Sequence, residues 1–154
     1  MVLFDNDCVA LNLKVGNSKE VILLLSHLLE KKGAVSAIYS EAAFKREQSY
    51  PTGLPIKPLN IAFPHADGEE VHQSALAIAL LAEPVIFKSM EDPHIELPTS
   101  IVLLMAIRKP DEQVKLLRQL ASIFNKPQKL IELCDQKTIS DVVGWVRKEL
   151  KLNN

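Results

Sequence analysis

This sequence contains few aromatic residues and has no surplus of basic charge. Phenylalanine, tyrosine and tryptophan together make up only 5% of the chain, and the formal net charge is −1 at pH 7. A nucleic-acid-binding protein ordinarily grips phosphates with a basic patch and stacks bases on aromatic side chains. The composition therefore predicts neither a nucleic acid nor an anionic lipid surface as a partner.

Cysteine is also scarce, and long apolar runs are absent. The two cysteines, Cys8 and Cys134, fit no CxxC or CxxH spacing, so neither a disulfide framework nor a zinc knuckle is expected. The longest apolar segments, 75–82 and 101–107, are too short to cross a bilayer, which takes about 20 residues. No basic region precedes a long apolar segment at the N-terminus, as a signal peptide would require. Free thiols suit a reducing compartment, so we predict a cytoplasmic protein that does not insert into the membrane.

Glycine-rich and metal-binding motifs are missing as well. The five glycines are scattered singly, and none belongs to a nucleotide-binding loop, a dinucleotide fingerprint or a nucleophile elbow. Four side chains could in principle hold a metal, namely His65, Asp67, His72 and His94. Since they show neither HExxH nor HxH spacing, the sequence predicts no metal and no cofactor. A metal-dependent hydrolase stays the alternative, and stoichiometric metal after purification would identify it.

What the sequence does contain is a series of amphipathic helices and short apolar strands. The pattern predicts helices over residues 18–32, 36–49, 111–124 and 126–134 and from 138 onward, with strands over 60–63, 75–82 and 99–107. Asn17 or Ser18 is expected to cap the first helix, and Thr138 the last. Because helices flank the strands on both sides along the chain, we predict an α/β fold in a single domain over residues 1–154.

The stretch NIAFPHADGEE, residues 60–70, ends a predicted strand by presenting a histidine on a proline turn. A neutral histidine is available near physiological pH, so His65 can act as a nucleophile. A loop at the end of a strand is a common place for such chemistry, because the sheet fixes the strand while the loop meets solvent. The alternative is an ordinary histidine on a surface loop, since Pro-His alone is a weak signal.

Arg46 breaks the pattern of the helix predicted over 36–49. The apolar arc of that helix is made of Val35, Ile38, Tyr39 and Ala42. At 100° per residue Arg46 falls into the middle of the same arc. An inward arginine needs a carboxylate or a phosphate as its partner. The alternative is an arginine at the helix end that complements the dipole and reaches into solvent.

Gln113 breaks the pattern of the helix predicted over 111–124. The apolar arc expected there consists of Val114, Leu117, Leu120, Ala121 and Phe124. Gln113 falls inside this arc, in a first turn whose free backbone N–H groups favour an anion. The alternative is a half-buried glutamine at a frayed helix start. Together a histidine nucleophile, an inward arginine and an amide donor would suit a transient anion.

Four motifs in a fixed order resemble a known family. They are KREQSYPTGLP, NIAFPHAD, PTSIVLLMAI and DEQVKLLRQLASIF. This order is similar to that of the enzyme IIA (EIIA) components of the sugar phosphotransferase system (PTS), in their fructose/mannitol type. The resemblance covers about residues 5–150. The segment YPTGLP is more similar to the galactitol branch than to the fructose type.

The resemblance implies a mixed sheet sandwiched between helices and assigns roles to three residues. His65 matches the histidine that is phosphorylated in the family, and Arg46 matches the arginine beside that phosphohistidine. Gln113 stands where mannitol-type members carry a second active-site histidine, so it is a candidate hydrogen-bond donor. The resemblance also implies that the chain is a phosphotransferase subunit with a phosphohistidine intermediate.

The resemblance implies partners as well. It predicts that the phosphocarrier protein HPr donates the phosphoryl group and that a cysteine of an enzyme IIB (EIIB) accepts it. The pair would serve a membrane enzyme IIC for galactitol or a related polyol or sugar. An apolar docking surface for these partners is expected at Leu54, Ile56, Leu59 and Phe63. Two alternatives stay open: a regulatory domain that reports phosphorylation state to a kinase or transcription factor, and a non-catalytic binding module.

Overall fold

A mixed five-stranded sheet forms the centre of the fold in the computed structural model, which describes residues 2–152. Its strands are β1 (Val9–Leu13), β2 (Gly53–Leu54), β3 (Asn60–Ala62), β4 (Ala75–Lys88) and β5 (Glu96–Ala106). They lie in the order β1-β4-β5-β3-β2. The β4–β5 and β2–β3 pairs are antiparallel, whereas β1 is parallel to β4 and β3 is parallel to β5. The α/β class predicted from the sequence is confirmed.

Helices cover both faces of this sheet. They are α1 (Ser18–Lys31), α2 (Tyr39–Ser49), α3 (Pro110–Phe124), α4 (Pro127–Cys134) and α5 (Ile139–Glu149). α1 packs against β4 and β5 with α2 beside it, whereas α3, α4 and α5 close the face lined by Ile78 and Ile101. Ala77 and Ala79 point to the opposite face from Ile78 and are also buried. Within residues 2–152 no helix is long and apolar enough to span a membrane.

Two of the predicted helix caps are present as hydrogen bonds. The side chain of Asn17 accepts from the backbone N–H of Glu20 at 3.0 Å, and α1 begins at the next residue. The hydroxyl of Thr138 accepts from the backbone N–H of Asp141 at 3.1 Å and starts α5. Each cap satisfies an N–H group that has no partner inside its helix, which fixes where the helix begins.

The second helix begins later than the sequence predicts. α2 starts at Tyr39 rather than at residue 36, because the preceding residues are tied to another part of the chain. The backbone N–H of Ser36 donates to the carbonyl of Glu70 at 2.9 Å, and Val35 forms an antiparallel bridge with Val71. Val35 and Ile38 therefore precede α2 and do not mark its inward face.

The sheet is more extensive than the sequence predicts. β1 and β2 were not expected. β4 continues to Lys88, beyond the predicted range of 75–82, and β5 begins at Glu96, before the predicted range of 99–107. The extra length of β4 and β5 alternates between buried and exposed residues, as in a ribbon with one face in solvent. β2 has only two residues, so it carries no periodicity that a sequence pattern could detect.

Candidate active site

His65 lies where the chain leaves β3 and runs beside the end of β5. The carbonyl of Pro64 accepts a hydrogen bond from the backbone N–H of Met105 at 3.1 Å, and His65 itself forms a parallel bridge with Met105. The histidine is half-buried, so the sheet holds it while solvent reaches it. The structure thus places His65 at a strand end, as the sequence predicts.

The ring of His65 is oriented by its own backbone. Nδ1 lies 2.9 Å from the carbonyl oxygen of Phe63. Because a carbonyl oxygen can only accept, Nδ1 carries the proton in this hydrogen bond. In the neutral ring the lone pair is then on Nε2, which is the nitrogen available for bonding to an electrophile.

Tyr39 clamps the loop that follows His65 onto β5. Its hydroxyl donates to the carbonyl of Met105 at 2.7 Å and accepts from the backbone N–H of Ala66 at 3.2 Å. The side chain is fully buried as the first residue of α2. Burial raises the pKa of Tyr39 well above its ordinary value, so the hydroxyl keeps the proton that it donates.

A second clamp acts on the residue before the proline turn. The hydroxyl oxygen of Thr52 accepts from the backbone N–H of Phe63 at 3.1 Å. Thr52 in turn donates from its hydroxyl to Oε1 of Glu47 at 2.7 Å and from its backbone N–H to Oε2 at 2.8 Å. Glu47 is buried, and that burial raises its pKa to about 7.

Tyr39, Glu47 and Thr52 were not identified as site residues from the sequence. A signal for two of them exists, since Tyr39, Ala43 and Glu47 recur every fourth residue and so share one face of α2. A glutamate on an inward face calls for a hydrogen-bonding partner. Thr52 had no such signal, because its contact with Phe63 depends on how the chain folds back.

Arg46 does not lie on the inward face of α2, so that prediction is wrong. The buried residues of the helix are Tyr39, Ala43 and Glu47, and Arg46 is exposed. Its guanidinium lies over the ring of Tyr50, 4.5 Å from the ring centroid. The late start of α2 explains the error, because Val35 and Ile38 precede the helix and give its arc the wrong phase.

Arg46 nevertheless lies on the same side of the molecule as the histidine loop. It lines a cleft of about 310 Å³ together with Ala66 and Asp67, the two residues that follow His65. Within residues 2–152 no hydrogen bond joins Arg46 to His65. The structure therefore brings the arginine to the edge of the site, with its guanidinium resting on Tyr50.

Gln113 is half-buried in the first turn of α3. The predicted arc of this helix is wrong in phase: Val114 and Leu117 are 49% and 39% exposed, and the buried residues are Leu116, Leu120 and Ile123. The side chain of Gln113 makes no hydrogen bond to His65 in the part of the chain that is described. Its candidate role as a hydrogen-bond donor stays a prediction.

The other histidines do not join His65. His72 and His94 are exposed, and Asp67 belongs to the cleft beside Arg46. Among the residues from 2 to 152, no group of three histidine, cysteine or acidic side chains is placed to hold a metal ion.

The predicted docking surface is largely packed inward. Phe63 is only 5% exposed and stacks on Phe124 with ring centroids 5.1 Å apart. Leu54, Ile56 and Leu59 pack in part against the core. Other large apolar side chains are exposed: Ile38 and Tyr50 flank α2, Val114 and Leu117 lie on α3, and Ile86, Met90 and Ile95 lie at the end of β4 and in the loop before β5.

Comparisons with known proteins agree with this architecture. The family model described as "Phosphoenolpyruvate-dependent sugar phosphotransferase system, EIIA 2" matches residues 2–148. The PTS system galactitol-specific EIIA component of Escherichia coli (strain K12) is 28% identical over 108 residues, which are 70% of this chain and 71% of that protein.

Solved structures share the fold. The nitrogen regulatory protein IIA-Ntr from Neisseria meningitidis has a TM-score of 0.77 at 25% identity, over 92% of this chain and 94% of that one. A chain of the complex of enzyme IIAMTL and phosphorylated enzyme IIBMTL from Escherichia coli has a TM-score of 0.75 at 21% identity, over 98% and 99%. Since the family model spans nearly the whole chain, this protein belongs to the EIIA type 2 family of the sugar phosphotransferase system, whose members are phosphotransferases that carry a phosphoryl group.

Proposed function

We propose that this chain accepts a phosphoryl group from HPr on Nε2 of His65 and passes it to a cysteine of an EIIB. The observation that supports this most directly is the 2.9 Å contact between Nδ1 of His65 and the carbonyl of Phe63. It assigns the proton to Nδ1 and leaves the lone pair on Nε2. His65 is half-buried, so part of the residue is accessible to a partner protein.

The proposed transfer has two steps. The Nε2 lone pair of His65 attacks the phosphorus of the phosphohistidine on HPr, and the P–N bond of the donor breaks as its electron pair returns to the donor ring. The phosphorylated ring of His65 is cationic, and its Nδ1–H keeps the Phe63 carbonyl as an acceptor. A thiolate of the EIIB then attacks the phosphorus, and the electron pair of the P–Nε2 bond returns to His65.

Arg46 is the cation that this proposal assigns to the transferring group. The charge of that group is spread over three oxygens, so catalysis consists mainly of positioning and electrostatic stabilisation. Arg46 lines the cleft beside Ala66 and Asp67, and an arginine can bind two oxygens at once. Leaving the ring of Tyr50 would let the guanidinium reach the phosphoryl oxygens. Gln113 is proposed as a further donor at the start of α3.

The substrate system is proposed from similarity. The galactitol-specific EIIA component of Escherichia coli is the relative that supports a galactitol or related polyol system. A protein of this fold has been solved in complex with phosphorylated enzyme IIBMTL, which supports an EIIB as the acceptor and, through it, a membrane enzyme IIC. The proposed role also requires a cytoplasmic location, where HPr can reach His65.

Intact mass tests the carrier function. The chain is incubated with phosphoenolpyruvate, enzyme I and HPr, beside a His65→Ala variant and a His72→Ala control. We expect one phosphoryl group that is acid-labile, absent from His65→Ala and present on His72→Ala. No phosphorylation of the wild type, with donors shown to be active on another EIIA, would overturn the proposal and favour a non-catalytic binding module.

A regulatory role is the second candidate, and the similarity to the nitrogen regulatory protein IIA-Ntr favours it. It requires the same phosphohistidine but no acceptor thiol. Mixing the phosphorylated chain with a galactitol-type EIIB separates the two roles. Loss of the phosphoryl group to the EIIB cysteine supports transport, whereas a phosphoryl group that stays on the chain with several different EIIB proteins supports regulation.

A further inference from the structure

A continuous path of hydrogen bonds joins a buried carboxyl group to the ring of His65. Oε1 of Glu47 accepts from the Thr52 hydroxyl at 2.7 Å, and the same hydroxyl accepts from the Phe63 N–H at 3.1 Å. The carbonyl of Phe63 then accepts from Nδ1 of His65 at 2.9 Å. Phe63 is thus held at its N–H by one side chain while its carbonyl holds another.

The position of Thr52 follows from strand register. In the β2–β3 ladder Gly53 pairs with Ala62 and Leu54 with Ile61, so Thr52 falls opposite Phe63 one step beyond the ladder. There the threonine hydroxyl takes the N–H of Phe63 in place of a backbone carbonyl. The side chain therefore continues the sheet pairing up to the residue that orients the histidine.

Glu47 determines which way the threonine hydroxyl points. A free hydroxyl can rotate and can donate or accept. Because Oε1 of Glu47 accepts its hydrogen and Oε2 accepts the Thr52 backbone N–H, the lone pairs of the hydroxyl are left to receive the N–H of Phe63. Replacing either side chain would release this arrangement.

Among residues 2–152, no cation forms an ion pair with the carboxyl group of Glu47. It is 7% exposed, and a buried carboxyl group is costly unless it is paired or hydrogen-bonded. Glu47 and Lys88 both line a cleft of about 290 Å³, yet within residues 2–152 no ion pair connects the two side chains. Both carboxyl oxygens are instead occupied by Thr52.

We propose that Glu47 and Thr52 are positioning residues for the phosphoryl acceptor, which they hold through the backbone of Phe63 so that Nδ1 of His65 stays protonated and Nε2 stays free. Within residues 2–152 neither side chain forms a hydrogen bond with the ring. The inference deepens the proposed carrier function, and its effect on the rate of phosphorylation by HPr rests on that function. Its structural consequence, the tautomer of His65, can be measured without any partner.

The central test compares three threonine variants. Thr52→Val keeps the shape and removes the hydroxyl, and Thr52→Ser restores it. Thr99→Val is the matched control, since Thr99 is also buried but its hydroxyl donates to the carbonyl of Leu97. The ring nitrogen shifts of His65 in ¹⁵N NMR report which nitrogen carries the proton.

We expect the wild type, Thr52→Ser and Thr99→Val to show Nδ1–H, and Thr52→Val to show a mixture of both tautomers. The rate of phosphorylation by HPr should fall about tenfold in Thr52→Val only, as expected for the loss of one hydrogen bond. An unchanged tautomer and rate in a folded Thr52→Val protein would overturn the inference. If HPr cannot phosphorylate the wild type, the proposed carrier function is wrong. The tautomer of His65 in Thr52→Val then decides alone whether Thr52 positions the ring.

Glu47→Gln supplies a second route if Thr52→Val does not fold. Glutamine offers one acceptor oxygen where Thr52 presents two donors. Above pH 7, where the carboxyl group of Glu47 has released its proton, the same shift towards mixed tautomers is therefore expected. Glu41→Gln on the exposed side of α2 is its control. A Glu47→Gln protein with the wild-type tautomer would count against a positioning role.

Discussion

The guanidinium of Arg46 lies on the ring of Tyr50, 4.5 Å from its centroid. Both residues are exposed, and the cleft they line continues to Ala66, next to His65. An arginine on an aromatic face is held by at most about 1 kcal/mol at an exposed site. The guanidinium can therefore leave Tyr50 for a phosphoryl group at little cost.

Arg46→Ala should slow phosphorylation by HPr about 100-fold, as is typical when one donor to a developing charge is removed. Because Arg46 is exposed, its loss should change the free energy of unfolding by less than about 0.5 kcal/mol. Lys45→Ala is the control, since Lys45 lines the same cleft and carries the same charge. Equal rates for Arg46→Ala and the wild type in a mass time course would remove Arg46 from the mechanism.

Tyr39→Phe should weaken both the fold and the site. The change leaves the carbonyl of Met105 and the N–H of Ala66 without their buried partner, which should lower the free energy of unfolding by about 1–3 kcal/mol. The loop after His65 would also lose its anchor, so transfer from HPr should slow. Tyr50→Phe is the control in urea unfolding, because Tyr50 is 63% exposed and its hydroxyl makes no hydrogen bond among residues 2–152. Equal stability losses in the two variants would contradict this account.

The sequence located the histidine but not the side chains that hold it. His65 could be found because it interrupts an apolar strand at its end, which is a local feature. The clamp from Tyr39 to Met105 joins residues 66 positions apart, so no local pattern contains it. The same limit applies to Thr52, whose partner Phe63 is reached only when the chain returns as β3.

Helix phase was the other source of error, and it has a physical cause. The predicted face of α2 included Val35 and Ile38, which the structure places before the helix. Glu47 was not identified as an inward residue, because charged side chains are ordinarily exposed to solvent. The strands β4 and β5 were easier to place, since continuous apolar runs mark strands that are covered on both faces.

Replacing two of the glycines by alanine should change the free energy of unfolding in opposite directions. A Cβ at Gly53 would lie 2.5 Å from the carbonyl oxygen of Lys88, so Gly53→Ala should destabilise by about 1–3 kcal/mol through forced backbone shifts. Gly144 lies inside α5 with nothing within 4 Å of a Cβ, so Gly144→Ala should stabilise by about 0.5–1 kcal/mol. Urea unfolding of the two variants measures both effects, and changes of the same sign would contradict the packing at Gly53.

Glu47 should make the stability of the protein fall as pH rises towards neutrality. Its pKa is raised by burial from 4.5 to about 7, so between these values the folded state holds a proton that the unfolded state has released. The stabilising contribution of this proton is complete below pH 4.5 and is lost as the pH passes through 7. Each pH unit within this window lowers the free energy of unfolding by about 1 kcal/mol.

Glu47→Gln cannot titrate, so its free energy of unfolding should vary less between pH 5 and pH 7 than that of the wild type. Urea unfolding at several pH values measures the difference between the two slopes, and Glu41→Gln serves as the control because Glu41 is exposed on the same helix. All other titrating groups are shared, so they cancel in the comparison. Parallel slopes for Glu47→Gln and the wild type would mean that Glu47 keeps its ordinary pKa, and that the carboxyl group beside Thr52 is better solvated than its burial indicates.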